Sequence, residues 1–144
     1  MSLLDHVRNS RRLALLICCA VLGCSSADQG PQRAAVRGRV TVDGKPVEHG
    51  SIQFTPVQGT TGPVAGATIE TGEYSVSKAT GPVVGTNMVQ ITGSRKTGKK
   101  ATNRLGMTRD EYISMVPQHY HSQPTLIRHV EVGRNVFDFK LSSE

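Results

Sequence analysis

Val36-Arg-Gly-Arg-Val-Thr-Val42, closed by Asp43-Gly44, is the stretch that decides the class of this fold. Val36, Gly38, Val40 and Val42 fall on one side of an extended chain, and Arg37, Arg39 and Thr41 on the other. A period of two is that of a half-buried strand. Asp43-Gly44 is the dipeptide of a tight hairpin turn, in which glycine supplies a positive φ at no steric cost.

The same pattern repeats outward. Pro46 and Gly50 bracket a short connection, and Ser51 to Val57 alternates with Ile52 and Phe54 inward. Val64 to Glu70 predicts a strand, Thr71-Gly72 a turn, and Tyr74 and Val76 the inward positions of the next strand. Val83 to Thr92 sends Val89 and Ile91 inward. Thr125 to Val132 and Asn135 to Leu141 read as a last hairpin around Gly133-Arg134, with Phe137, Phe139 and Leu141 facing the core. Fifteen Gly, three Phe, three Tyr and no Trp suit short strands and tight turns around a modest core. The expectation is an all-β, seven-stranded sandwich over residues 36–142.

Residues 93–117 break the pattern. Gly93 to Arg109 holds six basic residues and no acid. Thr108-Arg-Asp-Glu111 has the spacing of a capping box, Thr at the N-cap and Glu at N3, and predicts a short helix through Met115 that Pro117 ends. The segment is expected to be a long basic loop with one short helix. Arg95, Lys96, Lys99 and Lys100 are its candidate electrostatic contacts.

The N-terminus reads as an address. Arg8, Arg11 and Arg12 precede ten apolar residues, Leu13 to Leu22. Ten helical residues rise about 15 Å, half of a bilayer's hydrocarbon core, which suits a signal h-region and not a span. Val21-Leu22-Gly23-Cys24 resembles a bacterial lipobox. That resemblance implies cleavage between Gly23 and Cys24, diacylglycerol on the Cys24 thiol, and N-acylation. Residues 1–23 are thus expected to be a lipoprotein signal peptide and 24–35 a flexible polar tether. Acyl chains at Cys24 would hold the domain at the membrane, in the cell envelope, facing the periplasm or the exterior.

Removing 1–23 takes away Cys18 and Cys19, leaves no pair for a disulfide, and lowers the net charge from +6 to +4 through loss of Arg8, Arg11, Arg12 and Asp5.

Gly38-Arg-Val-Thr-Val-Asp-Gly-Lys-Pro-Val47, Gly50-Ser-Ile-Gln-Phe-Thr-Pro56 and Gly72-Glu-Tyr-Ser-Val76 resemble the carboxypeptidase regulatory-like, or transthyretin-like, β-sandwich. The chain is more closely similar to a group of short planctomycete lipoproteins of that kind, through Pro117-Gln-His-Tyr120, Thr125-Leu126 and Asn135-Val-Phe-Asp-Phe-Lys-Leu141. His121 stands where that group has Asn, and Pro124 where it has Ser. The resemblance implies a non-catalytic accessory or binding domain. A transthyretin-type hydrolase would end in a Tyr-Arg-Gly-Ser-like motif, which Leu141-Ser-Ser-Glu144 is not.

Other constellations carry little chemistry. Gly93-Ser-Arg-Lys-Thr-Gly-Lys-Lys100 nearly matches a P-loop, but Lys100 replaces the hydroxyl that would ligate Mg²⁺, and no nucleotide partner is expected. The basic stretch lacks an aromatic residue for base stacking, so no nucleic-acid partner is expected. His119 and His121, if extended, point to one face and are weak metal candidates that lack a third ligand. No Gly-x-Ser-x-Gly elbow is present, and Asp110 and Glu111, adjacent on a helix, could not flank a cleft. The sequence therefore predicts no enzyme and no cofactor. It predicts a structural module binding an envelope protein or polysaccharide, with carbohydrate or metal capture at the Pro117–Pro124 corner as the alternative.

Overall fold

The computed structural model describes residues 30–122 and 126–143. The signal segment 1–23, Cys24 and the first part of the tether lie outside the described residues.

Strand β1 (Ala35–Val42) places Val36, Val40 and Val42 inside, as its period of two requires. Asp43 and Gly44 both take positive φ, 49° and 78°, and close a two-residue hairpin onto β2 (Lys45–Pro46). This is the primed turn whose twist matches the strands. Strand β3 (His49–Pro56) pairs antiparallel with β4 (Ala65–Glu70). Thr71 and Gly72 repeat the positive-φ pair, 53° and 82°, and return the chain into β5 (Glu73–Val76), which pairs antiparallel with β1. Strand β6 (Gly85–Thr102) lies along the other edge of β3, through Asn87 to Ser94.

The architecture is mainly antiparallel β, with ten strands and one four-residue helix, α1 (His119–Ser122), among the described residues. Three expectations are corrected.

First, no helix runs from Thr108 to Met115. Strand β7 (Thr108–Ser114) occupies that place and pairs antiparallel with the far half of β6. The Thr108 hydroxyl lies 3.1 Å from the hydroxyl of Thr102 on the facing strand, not over its own first turn. A helix of two turns is marginal alone. Thr, Tyr and Ile suit a strand, and β6 supplies a partner for every second backbone group. The one helical turn follows Pro117 instead of preceding it: Tyr120 N–H bonds the Pro117 carbonyl at 3.1 Å.

Second, the C-terminal strands do not form a hairpin with each other. Strand β8 (Leu126–Val130) pairs antiparallel with β6, whereas β9 (Arg134–Val136) and β10 (Phe139–Leu141) run parallel to β1. With β2, β7 and the division of the last strand, the count rises from seven to ten. Asn135 decides the turn between β8 and β9. Its side chain accepts from Glu131 N–H and donates to the Glu131 carbonyl, both at 2.9 Å, and reaches the Ala35 carbonyl at 3.3 Å.

Third, the fold begins before residue 36. Arg33 bridges to Val83, Ala34 is fully buried, and Val84 N–H bonds the Gln32 carbonyl at 2.8 Å. The end of the expected tether is therefore part of the sheet.

One core gathers the inward positions: Val36 and Val40 of β1, Ile52 and Phe54 of β3, Ile69 of β4, Tyr74 of β5, Val89 and Ile91 of β6, Val130 of β8 and Phe139 of β10. The rings of Phe54, Tyr74 and Phe139 line up at centroid spacings of 6.3 Å, within the range for favourable aromatic pairs.

Candidate functional site

Strand β6 is 18 residues long, and its first half is core. At about 3.3 Å per residue it spans about 56 Å. Beyond Ser94 it leaves β3 and continues with β7 as a two-stranded arm. Gly93 marks the departure point. A Cβ there would sit 2.5 Å from Val47 and 2.9 Å from Val116, so these two buried side chains close over the strand only because it lacks one. The Gly93 carbonyl takes the N–H of Met115 at 2.9 Å and completes the anchorage.

The expected loop is therefore a ribbon. Arg95, Lys96, Lys99 and Lys100 stand on its β6 side, all exposed, and Arg109 on its β7 side. The register is regular from Ser94↔Ser114 to Lys96↔Tyr112 and again from Lys100↔Asp110 to Thr102↔Thr108. Between them a bulge sets Thr97, Gly98 and Lys99 against Glu111. The near P-loop spacing thus lies in an extended strand, not in a loop that wraps phosphate.

Both acids of the ribbon are engaged within it. Asp110 meets Lys96 at 2.7 Å, and the hydroxyl of Thr97 donates to Glu111 Oε2 at 2.7 Å. The Lys96 ammonium holds the Asp110 carboxyl below its ordinary range, first by hydrogen bond and then by charge, and Asp110 raises Lys96 in return. Against two carboxylates stand six cations. Arg95, Lys99, Arg104 and Arg109 make no ion pair among the described residues. The ribbon also bears apolar side chains in water: Leu105 at the tip is 81% exposed, and Met107, Tyr112 and Ile113 are about half exposed. Isolated exposed apolar residues are ordinary, but four on one cationic ribbon, on both of its faces, equip it for contact.

The domain's start lies at the other end of β6. The Arg33–Val83 bridge holds it beside Gly85, the first residue of that strand, while the tip at Asn103–Met107 lies beyond the last.

His119 and His121 are brought into α1, where residues two apart diverge by about 200°. They do not share a face, and the weak metal pair is corrected on that ground. Among the described residues, no three His, Cys, Asp or Glu side chains gather as a metal site. His121 instead borders a recess of 330 Å³ at the foot of the arm with His49, Thr92, Tyr112 and Ser114. There His49 meets the Tyr112 ring edge-on at 6.2 Å. A wider recess of 670 Å³ lies over β1 and β5, where Arg39 binds Glu73 at 2.6 Å and its N–H binds Asp138 at 2.8 Å. Its charges are of both signs and largely matched. Asp110 and Glu111, as neighbours on a strand, point to opposite faces of the ribbon.

Sequence reasoning missed the exposed apolar set on the arm and the role of Asn135.

Comparison with known protein families, with characterised proteins and with solved structures yields no match to this chain.

Proposed function

We propose that this chain is a non-catalytic cell-envelope lipoprotein, anchored through Cys24, whose β-domain is an interaction module of the transthyretin-like sandwich type. The β6–β7 arm is its contact element for an envelope protein or polysaccharide. The observation that carries this reading is the placement of a surplus-cationic, partly apolar ribbon at the end of β6 remote from the domain's start. Six residues lie between Cys24 and Pro31, so the chain reaches at most about 25 Å between them. The tip of the arm lies about 56 Å along β6 from the start of that strand, farther than this tether reaches.

The test uses the full chain expressed in an envelope-bearing bacterium. Neutralising Arg95, Lys99, Lys100 and Arg109 to Gln, with Lys96 kept for Asp110, should abolish recovery of the bound partner after crosslinking and leave membrane anchorage intact. Cys24→Ser should do the reverse to anchorage. Unchanged partner recovery with the neutralised arm overturns the reading.

Carbohydrate capture is a second reading, favoured by the Tyr112–His49–His121 recess, where an aromatic ring and imidazoles flank a 330 Å³ hollow. A glycan array without signal above background removes it.

A further inference from the structure

The arm has an unused edge. The Asn103 N–H bonds the Met107 carbonyl, and the Met115 N–H bonds the Gly93 carbonyl. Residues that share hydrogen bonds across an antiparallel pair alternate with residues that do not. Ala101↔Arg109 and Arg95↔Ile113 are therefore the bonded pairs of the ribbon. The Glu111 carbonyl also turns inward, toward the Thr97 hydroxyl. Thr108, Asp110 and Tyr112 consequently present their N–H and C=O groups outward. Among the described residues no strand pairs with that side of β7.

Such an edge is a template for another chain. A two-stranded ribbon is marginal in water, and a third strand would complete it. The side chains along the edge state the chemistry of the occupant. Arg109 and Ile113 share one face of β7, with Arg95 on the neighbouring strand, while Tyr112 stands on the other. Both acids of the ribbon are already held by Lys96 and Thr97, so the charge left over is positive. A second copy fits badly. It would set one cationic arm against another, and antiparallel self-pairing centred on Glu111 would oppose Glu to Glu. A polysaccharide could match the charge but not a row of alternating amide donors and acceptors.

We infer that the outer edge of β7 binds an extended acidic segment of a partner protein by strand addition, with acidic side chains on the face of Arg109 and Arg95 and apolar ones on the face of Tyr112. This rests on the reading of the arm as the contact element.

The probe is a seven-residue peptide of alternating Val and Asp, titrated into the full chain in detergent. It should bind, and the same peptide N-methylated at every residue should bind at least about tenfold more weakly, because it keeps the charge and loses the donors. Hydrogen exchange on binding should slow at the amides of Asp110 and Tyr112 and stay unchanged at Arg109 and Ile113, which already bond β6. Tyr112→Pro, which removes an outward donor that β6 does not use, should lose the peptide, whereas Tyr112→Ala should keep most of the affinity. Equal affinity for the N-methylated peptide, uniform exchange changes along β7, or no binding of the parent peptide overturns strand addition. Displacement of the peptide by dextran sulfate at equal charge, with no alternation in exchange, also overturns it and assigns the arm to polyanions. None of these results bears on the crosslinking test, so the two readings fail separately.

Discussion

The phenolic Oη of Tyr74 donates a 2.8 Å hydrogen bond to the main-chain carbonyl of Phe137, 63 positions further along the chain. The bond passes over Gly38, where a Cβ would lie 1.9 Å from that same carbonyl oxygen and 3.1 Å from the Tyr74 ring. Phe137 N–H bonds the Arg37 carbonyl at 2.9 Å, so β5, β1 and the link between β9 and β10 meet at one joint. Parallel strands have no hairpin to set their register, and this joint sets it for the C-terminal end.

Removing the joint should cost stability in a graded way. Tyr74→Phe deletes one hydrogen bond and should lower unfolding free energy by about 1 kcal/mol. Gly38→Ala forces backbone apart and should cost about 2–4 kcal/mol. Urea unfolding followed by circular dichroism measures both; a Gly38→Ala protein as stable as the parent would contradict the close approach.

The same phenol predicts alkaline behaviour. Burial raises its pKa well above a phenol's ordinary value of about 10, and the negative charge of Asp138 adds to this while Arg128 opposes it. A folded-state pKa above the unfolded one contributes stability that is complete below the unfolded value and declines as pH rises past it. Stability should therefore fall above pH of about 10, by at most about 1.4 kcal/mol per pH unit from this group. Tyr74→Phe should flatten that fall between pH 9 and 11.

Asn135 should prove costly to replace. It is 8% exposed and satisfies Glu131 on both sides of its peptide while reaching β1. Asn135→Ala leaves those backbone groups without partners, and a loss of about 2–3 kcal/mol is expected in urea unfolding. Asn135→Asp, which keeps the acceptor and loses the donors, should fall between the two.

The arm should be separable from the body. None of the residues from Ser94 to Ser114 belongs to the core, which resumes at Val116. Replacing 96–112 by a two-residue Asn-Gly turn should leave the thermal unfolding midpoint nearly unchanged. A large fall would mean that the ribbon carries part of the body's stability.

Within the arm, acid should act locally. The Asp110 carboxyl is depressed by Lys96, so its contribution is present above an ordinary carboxyl value of about 4 and is lost as pH falls through its lower folded value. Protection of the β7 amides, taken relative to the intrinsic exchange rate at each pH, should fall below pH of about 4, and Asp110→Asn should show that loss at neutral pH. Both partners are solvent-exposed, so added salt should weaken the difference.

What the sequence determined by itself was local. The period of two in Val36–Val42 and Ser51–Val57, and the turns at Asp43-Gly44 and Thr71-Gly72, were legible because side-chain alternation and positive φ are properties of a few consecutive residues. The inward set of Val40, Ile52, Phe54, Val89, Ile91, Phe139 and Leu141 followed from the same period. Which strand each segment would pair with was not legible. Thr108–Ser114 carries a helix-capping signal and the strand-favouring residues Thr108, Tyr112 and Ile113 at once, and only the far half of β6 decided between them by taking up its backbone groups. The C-terminal strands read as neighbours because they are close in sequence, yet β8 went to β6 and β9 and β10 to β1. The backbone hydrogen bond is the same at every residue, so pairing is chosen by burial and closure of the whole core. Tertiary structure alone turned a run of cations from a loop into a ribbon with a free edge.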